Sequence, residues 1–233
     1  VYTIEEKTVV LPVRVREASS VYASFLVPAA AVKRLLPAGL TPLQTIPGRA
    51  TCTIVGVDYR EGDLGQYHEV GVCFLLRPQG GSRLDVLSMI RNQAPAYIHR
   101  LPVTTSFSCE AGRHIWGFPK DVMDIDFVDS DATRTVTLRD EGRLVLQVSA
   151  PRGGTKKFSN VDIEAMGSWG GPVQVTPAQL AGEGVKAGFR AGQLVLGDHP
   201  IAAELRSLGL PKKPLVAGSI ESFRGNFGEA HPL

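Results

Sequence analysis

The sequence predicts an α+β chain that is mainly antiparallel β, with a few helices at the periphery. Three observations lead there. Glycine (25) and proline (16) punctuate the 233 residues at short intervals, which suits short strands and turns better than a helical bundle. From Met123 to Val148 apolar residues recur on alternate positions, the period of a strand with one buried face. Only three stretches have helical character.

Residues 8–14 (Thr-Val-Val-Leu-Pro-Val-Arg) read as extended chain, with Pro12 confining them to an edge or a bend. Residues 21–27 form a second apolar run that ends at Pro28. Residues 29–36 favour helix, opened by Pro28 and stopped by Pro37 and Gly39. The β-branched residues of 51–59 predict a strand. Residues 62–76 open with a turn and continue as an apolar strand that Glu69 interrupts. That carboxylate either faces water on an alternating strand or sits in a pocket.

Residues 104–114 predict a short helix capped by Thr104 or Thr105. Met123, Ile125 and Phe127 then alternate with Asp124, Asp126 and Val128, and residues 133–139 alternate likewise. Asp140-Glu141-Gly142-Arg143 is a turn, after which Leu144, Leu146 and Val148 return on alternate positions. Together these make an antiparallel meander. The aspartates between Asp121 and Asp131 read as a solvated strand face, because calcium-loop spacing is absent. Residues 151–157 read as a loop. Residues 165–192 show no period, being broken by Gly167, Gly170 and Gly171. A short strand is predicted at 194–196. A helix follows at 201–208, opened by Pro200, capped by Asp198 or His199 and stopped at Gly209. The last strand is predicted at 214–223. With no repeat, low-complexity tract or linker, one domain over residues 1–233 is the expectation.

Composition excludes several function classes. Hydrophobic residues make up 43% and charged residues 21%, as in ordinary globular proteins. A net charge of +2 with pI about 8.5 gives no reason to expect a nucleic-acid partner. No apolar run approaches the roughly 18–20 residues that span a membrane. Val1 to Lys7 lacks a signal-peptide pattern, and Cys52, Cys73 and Cys109 are odd in number and widely spaced. Free thiols and a cytoplasmic location are therefore expected. No GxGxxG after a strand, GxxxxGK[ST], HExxH or GxSxG occurs, and the five histidines are scattered. Neither a metal nor a cofactor is expected.

What remains is a candidate nucleophile. In residues 112–121 (Gly-Arg-His-Ile-Trp-Gly-Phe-Pro-Lys-Asp), Lys120 follows a proline among glycines and aromatic groups. A solvated lysine, near pKa ~10.4, is under about 0.1% free amine at neutral pH. Lowering that value by about three units corresponds to roughly 4 kcal/mol, and desolvation by Trp116 and Phe118 is one way to supply it.

Three blocks of the sequence resemble the acetoacetate decarboxylase family. Gly112-Arg113 followed by Pro119-Lys120 is similar to the segment around the family's Schiff-base lysine. Asp63-Leu64-Gly65-Gln66-Tyr67-His68-Glu69 resembles the stretch supplying an active-site glutamate. Leu194-Val195-Leu196-Gly197-Asp198-His199-Pro200, running on to Leu215-Val216-Ala217-Gly218-Ser219, resembles the C-terminal strand, helix and strand. With the region from Arg16-Glu17 to Pro37, these occur in the family's order over nearly the whole chain.

The resemblance implies a strongly curved, barrel-like antiparallel β structure around a central cavity, and assembly into homo-oligomers. It implies that the Lys120 amine condenses with a substrate ketone, the imine then serving as electron sink. Glu69 matches the glutamate placed for proton transfer or substrate positioning. Arg16 is the best match to the arginine associated with the substrate carboxylate, with Arg14 competing. Tyr67, Trp116 and Phe118 are expected at the substrate. Two departures stand out: Asp121 replaces a second lysine, and the ungapped match puts Ile54 where decarboxylases carry a further glutamate. The leading expectation is decarboxylation of an acetoacetate-like β-keto acid. An aldolase-dehydratase using pyruvate or a similar keto acid, and a non-catalytic ligand-binding member, are the alternatives.

Overall fold

The computed structural model of the chain describes residues 1–78 and 94–233. The strands are β1 (Tyr2–Ile4), β2 (Lys7–Val9), β3 (Val13–Pro28), β4 (Gln44–Ile46), β5 (Arg49–Gly62), β6 (Tyr67–Leu75), β7 (Ala96–Arg100), β8 (Asp124–Asp129), β9 (Thr133–Asp140), β10 (Arg143–Pro151), β11 (Lys156–Gly167), β12 (Gln174–Phe189), β13 (Gln193–Leu196), β14 (Val216–Phe227) and β15 (His231–Pro232). The helices among the described residues are α1 (Ala29–Leu35), α2 (Ser106–Trp116) and α3 (Pro200–Ser207).

The largest sheet runs β11-β7-β6-β5-β3-β14-β12-β15, and β11 also pairs with β12. That second pairing closes the sheet into a ring. Its strands pair antiparallel except for β11 beside β7, where Ala165 and Met166 oppose Ala96 and Tyr97 in parallel. The predicted meander is present as β8-β9-β10 and gains β13 on its far side, as a separate four-stranded sheet.

Several boundaries differ from the sequence expectation, for local reasons. Pro12 separates β2 from β3, and β3 then runs unbroken through the region predicted as a distinct second strand. The second helix begins at Ser106 and reaches Trp116, with the Thr105 hydroxyl accepting the Ser108 amide at 3.3 Å as its cap. His199 caps α3, its Nδ1 accepting the Ile201 amide at 3.2 Å. The stretch without a readable period, residues 165–192, holds the end of β11 and all of β12. A glycine there marks close packing rather than a break: a Cβ on Gly182 would lie 2.7 Å from the Phe158 ring.

Two apolar clusters sit on opposite faces of the central strands. One gathers Val21, Phe25, Ile54 and Phe74 of the large sheet with Val136, Leu138 and Leu146 of the small sheet and Leu205 of α3. The other gathers Val13, Val15, Val57, Tyr59, Tyr67, Ile98 and Leu101 with Ile115 and Trp116 of α2 and Phe118. Because side chains alternate along a strand, Ile54 and Val57 of β5 belong to different clusters. The candidate site opens into the second. No helix among the described residues is long and apolar enough to cross a membrane.

Candidate active site

Glu69 lies on β6, where Val57 of β5 is its direct partner and Tyr59 pairs with Tyr67 two positions away. Partners across a ladder project to the same face, so Val57, Tyr59, Tyr67 and Glu69 all point into the second cluster. Here the carboxylate takes the buried alternative: Glu69 is 8% exposed.

Lys120 reaches the same point from the segment after α2. Gly117 ends that helix in the left-handed conformation (φ 64°), a geometry glycine adopts without strain. The chain then doubles back along α2, with the Phe118 amide on Gly112 O at 3.0 Å. Arg113 fixes the turn by donating from Nε to Lys120 O at 2.8 Å. Lys120 is only 2% exposed, and its Nζ lies 2.7 Å from Glu69 Oε2. The ammonium also lies 5.3 Å from the centre of the Tyr67 ring, within cation–π range.

Gly112 makes this approach possible. A Cβ at that position would come within 2.4 Å of both Cδ and Cε of Lys120. The other carboxylate oxygen is held as well: Tyr59 donates its hydroxyl to Glu69 Oε1 at 3.1 Å. Burial first, and then the Glu69 charge, push the Tyr59 and Tyr67 hydroxyls well above their usual pKa. The same two causes push the Cys73 thiol up to about 12.

Lys120 and Glu69 line a cavity of about 80 Å³ with Val13, Val15, Tyr59, Leu64, Tyr67, Ile98, Leu101, Trp116, Phe118 and Phe227. The walls are thus chiefly apolar. Trp116 and Phe118 stack at 5.8 Å, and Trp116 Nε1 donates to Gly228 O at 2.9 Å, so both rings are held in place.

Among the sequence-predicted residues, Lys120, Glu69, Tyr67, Trp116 and Phe118 come together here, whereas Arg16 lies outside the cavity. Its Nη2 donates to Asp63 Oδ1 at 2.6 Å, and Asp63 Oδ2 accepts the Arg14 amide at 2.9 Å. Arg14 borders the cavity but is exposed, alternating with the inward-facing Val13 and Val15. Its guanidinium makes no ion pair or hydrogen bond among the described residues. Asp121 turns away from the amine: Arg113 Nη2 donates to its Oδ1 at 3.0 Å. Ile54 lies on the opposite face of β5, in the other core cluster, and the β5 lining is Tyr59 with Gly62. Tyr59 was not singled out from the sequence, because its role depends on strand register, and Gly112 was quoted only as part of the block before Lys120, because its role depends on the turn after α2. No group of three or more metal-ligating side chains is gathered among the described residues.

The family model for acetoacetate decarboxylase matches residues 4–224. The chain belongs to that family. A search of curated proteins finds no match. Solved structures share the fold at low identity. The acetoacetate decarboxylase from Legionella pneumophila is 14% identical, with TM-score 0.71, over 95% of this chain and 87% of that one. The enduracididine biosynthesis enzyme MppR, complexed with pyruvate, is 14% identical with TM-score 0.67, over 98% and 93%. An acetoacetate decarboxylase-like enzyme from Sphingomonas wittichii is 12% identical with TM-score 0.59, over 97% and 94%.

Proposed function

We propose that this chain is a Schiff-base-forming lyase that decarboxylates a small β-keto acid through an imine on Lys120. The observation that carries the reading is the buried Lys120–Glu69 pair in an apolar cavity. Two charges kept out of water need each other: removing one partner of such a pair costs about 3–5 kcal/mol. In that setting transfer of one proton from Nζ to Oε2 gives a neutral amine and a neutral acid without separating charge. The amine attacks the substrate ketone, and water leaves as the protonated imine forms. The bond to the carboxylate then breaks, its electron pair moves into the imine, and carbon dioxide departs. The resulting enamine is protonated on carbon by a proton taken up from water, with Glu69, a carboxylate again once water has left, within reach to relay it, and hydrolysis returns the amine and a ketone.

Decarboxylation asks the cavity to hold one small substrate, whereas condensation asks it to hold an aldehyde as well. Tyr67, Trp116 and Phe118 would hold the carbon chain. Arg14, at the mouth, is proposed to draw the substrate carboxylate in, in place of Arg16, which Asp63 occupies. Arg14→Met should therefore raise KM several-fold with kcat little changed; an unaltered KM would remove Arg14 from the scheme.

A second reading is aldol condensation and dehydration. It is favoured by the lack of a carboxylate on the β5 lining and by the similar fold of MppR, which is solved with the condensation product of pyruvate and imidazole 4-carboxaldehyde. A homo-oligomer is proposed with either reading on the family resemblance, and a monomeric mass in sedimentation would overturn it.

The deciding experiment is borohydride reduction in the presence of acetoacetate or pyruvate, with the adduct located by mass spectrometry. An adduct on Lys120 that Lys120→Ala abolishes supports the imine, and carbon dioxide release without added aldehyde supports decarboxylation. No adduct across a panel of keto acids would sink both enzymatic readings.

A further inference from the structure

Glu69 is held at both oxygens, and only one of its partners is the nucleophile. A glutamate's terminal torsion is a broad two-fold rotor. A carboxylate anchored only by Lys120 could turn, presenting either oxygen at changing angles. Tyr59 removes that freedom by donating to Oε1 while Lys120 occupies Oε2. Tyr59 is itself fixed on two sides. Its ring stacks on Tyr67 at 4.4 Å and meets Phe223 edge-on at 6.4 Å. It is 7% exposed, so bulk solvent barely reaches it.

We propose that Tyr59 is a positioning residue for catalysis: it locks the Glu69 carboxylate so that Oε2 alone exchanges a proton with Lys120. This rests on Lys120 being the imine-forming amine. The direction of exchange follows from the donor count. Tyr59 donates to Oε1 and Lys120 Nζ to Oε2, so the two oxygens have different partners. As the amine gives up its proton, Oε2 accepts it and Oε1 keeps its bond to Tyr59. The hydroxyl of Tyr59 remains protonated throughout, since burial and the adjacent carboxylate both oppose its ionisation. Removing the hydroxyl frees the rotor and leaves the anion with one donor fewer.

Tyr59→Phe keeps the ring, and with it both aromatic contacts, so the fold should persist. Hydrogen bonds to charged groups are worth enough that kcat should fall about 10- to 100-fold, with KM changed by less than about threefold. The acid limb of the pH–rate profile should move to higher pH, because a carboxylate that loses a donor is easier to protonate. A merely structural tyrosine would lower the melting temperature and leave that limb in place.

A readout without substrate separates this claim from the imine reading. Acetylation of Lys120 by acetic anhydride, mapped by mass spectrometry across pH, should show its acid-side midpoint moved upward in Tyr59→Phe. Superimposable labelling profiles for wild type and variant would overturn the role of Tyr59, whatever the enzyme's substrate. A moved labelling profile, with no borohydride adduct in wild type, would show that Tyr59 acts on Lys120 through Glu69 but would sink the imine and with it the catalytic role.

Discussion

Gly112 illustrates how one residue without a side chain can decide whether Lys120 reaches its partner. It lies inside α2, where alanine would normally be favoured over glycine by about 1 kcal/mol. A Cβ there would meet Lys120 Cδ and Cε, the middle of a flexible side chain. Gly112→Ala should therefore push Lys120 away from Glu69, lowering the melting temperature because the buried pair is broken, while borohydride trapping at Lys120 falls at least tenfold. Full trapping in a folded variant would show that the lysine has another route into the cavity. Lys120 and Glu69 were legible in the sequence because short motifs surround each one. Tyr59 was not, since its place beside Glu69 follows from the β5–β6 register, which no local pattern encodes. Asp121 was legible only as a neighbour in sequence; its direction is set by Arg113, seven residues before Lys120. Exchanging it for asparagine removes a charge that faces away from the amine. Asp121→Asn should accordingly alter the rate by less than about threefold, and a tenfold change in kcat would show that its charge is felt at Nζ.

Among the elements, α3 has the clearest electrostatic anchor. Its Glu204 accepts from His99 Nε2 at 2.8 Å and from Arg100 Nη2 at 3.0 Å, both on β7. These partners, His99 first, hold the Glu204 carboxyl down from 4.5 to about 2. A depressed carboxylate pKa stabilises the fold above the unfolded value and ceases to do so as pH falls through the folded one. The contribution should thus be complete above about pH 4.5 and disappear by about pH 2. Discounted for partial solvent access, it is about 1–2 kcal/mol. Glu204→Gln should lower stability at neutral pH by that amount and flatten the loss between pH 4.5 and 2, as followed by urea denaturation at stepped pH. A wild-type-like acid slope would show that other carboxylates control it. This helix was readable from Pro200, its cap and Gly209, signals that all lie within a few residues. The strands β11 and β12 were not, because their glycines meet side chains from distant parts of the chain, as Gly182 meets Phe158.

At the scale of the whole molecule, the ring and the meander must be joined, and apolar packing is only part of that joint. Arg134 of β9 is 2% exposed, yet it carries a charge between the two sheets. Its Nε and Nη2 donate to the two oxygens of Asp129 at 2.8 Å each. Its Nη1 donates to Ile220 O at 3.2 Å and its Nη2 to Glu221 Oε2 at 3.2 Å, both on β14 of the ring. Arg152 shares the two acids, reaching Asp129 and Glu221 at 2.7 Å each. A network around a buried charge contributes little beyond an apolar replacement while it is complete, and costs a great deal when the buried member's partners are left without it. Arg134→Ala leaves Asp129 and Glu221 facing one another with Arg152 alone, and empties the space of a large side chain. The expected loss is about 3 kcal/mol, which in a chain of this length lowers Tm by roughly 6–12 °C. Arg134 is not among the residues lining the Lys120 cavity, so borohydride trapping at low temperature should be retained. Loss of trapping in a variant that is still folded would mean that the contact between the sheets also shapes the cavity. An unchanged Tm would mean that the clusters of apolar side chains hold the two sheets together without it.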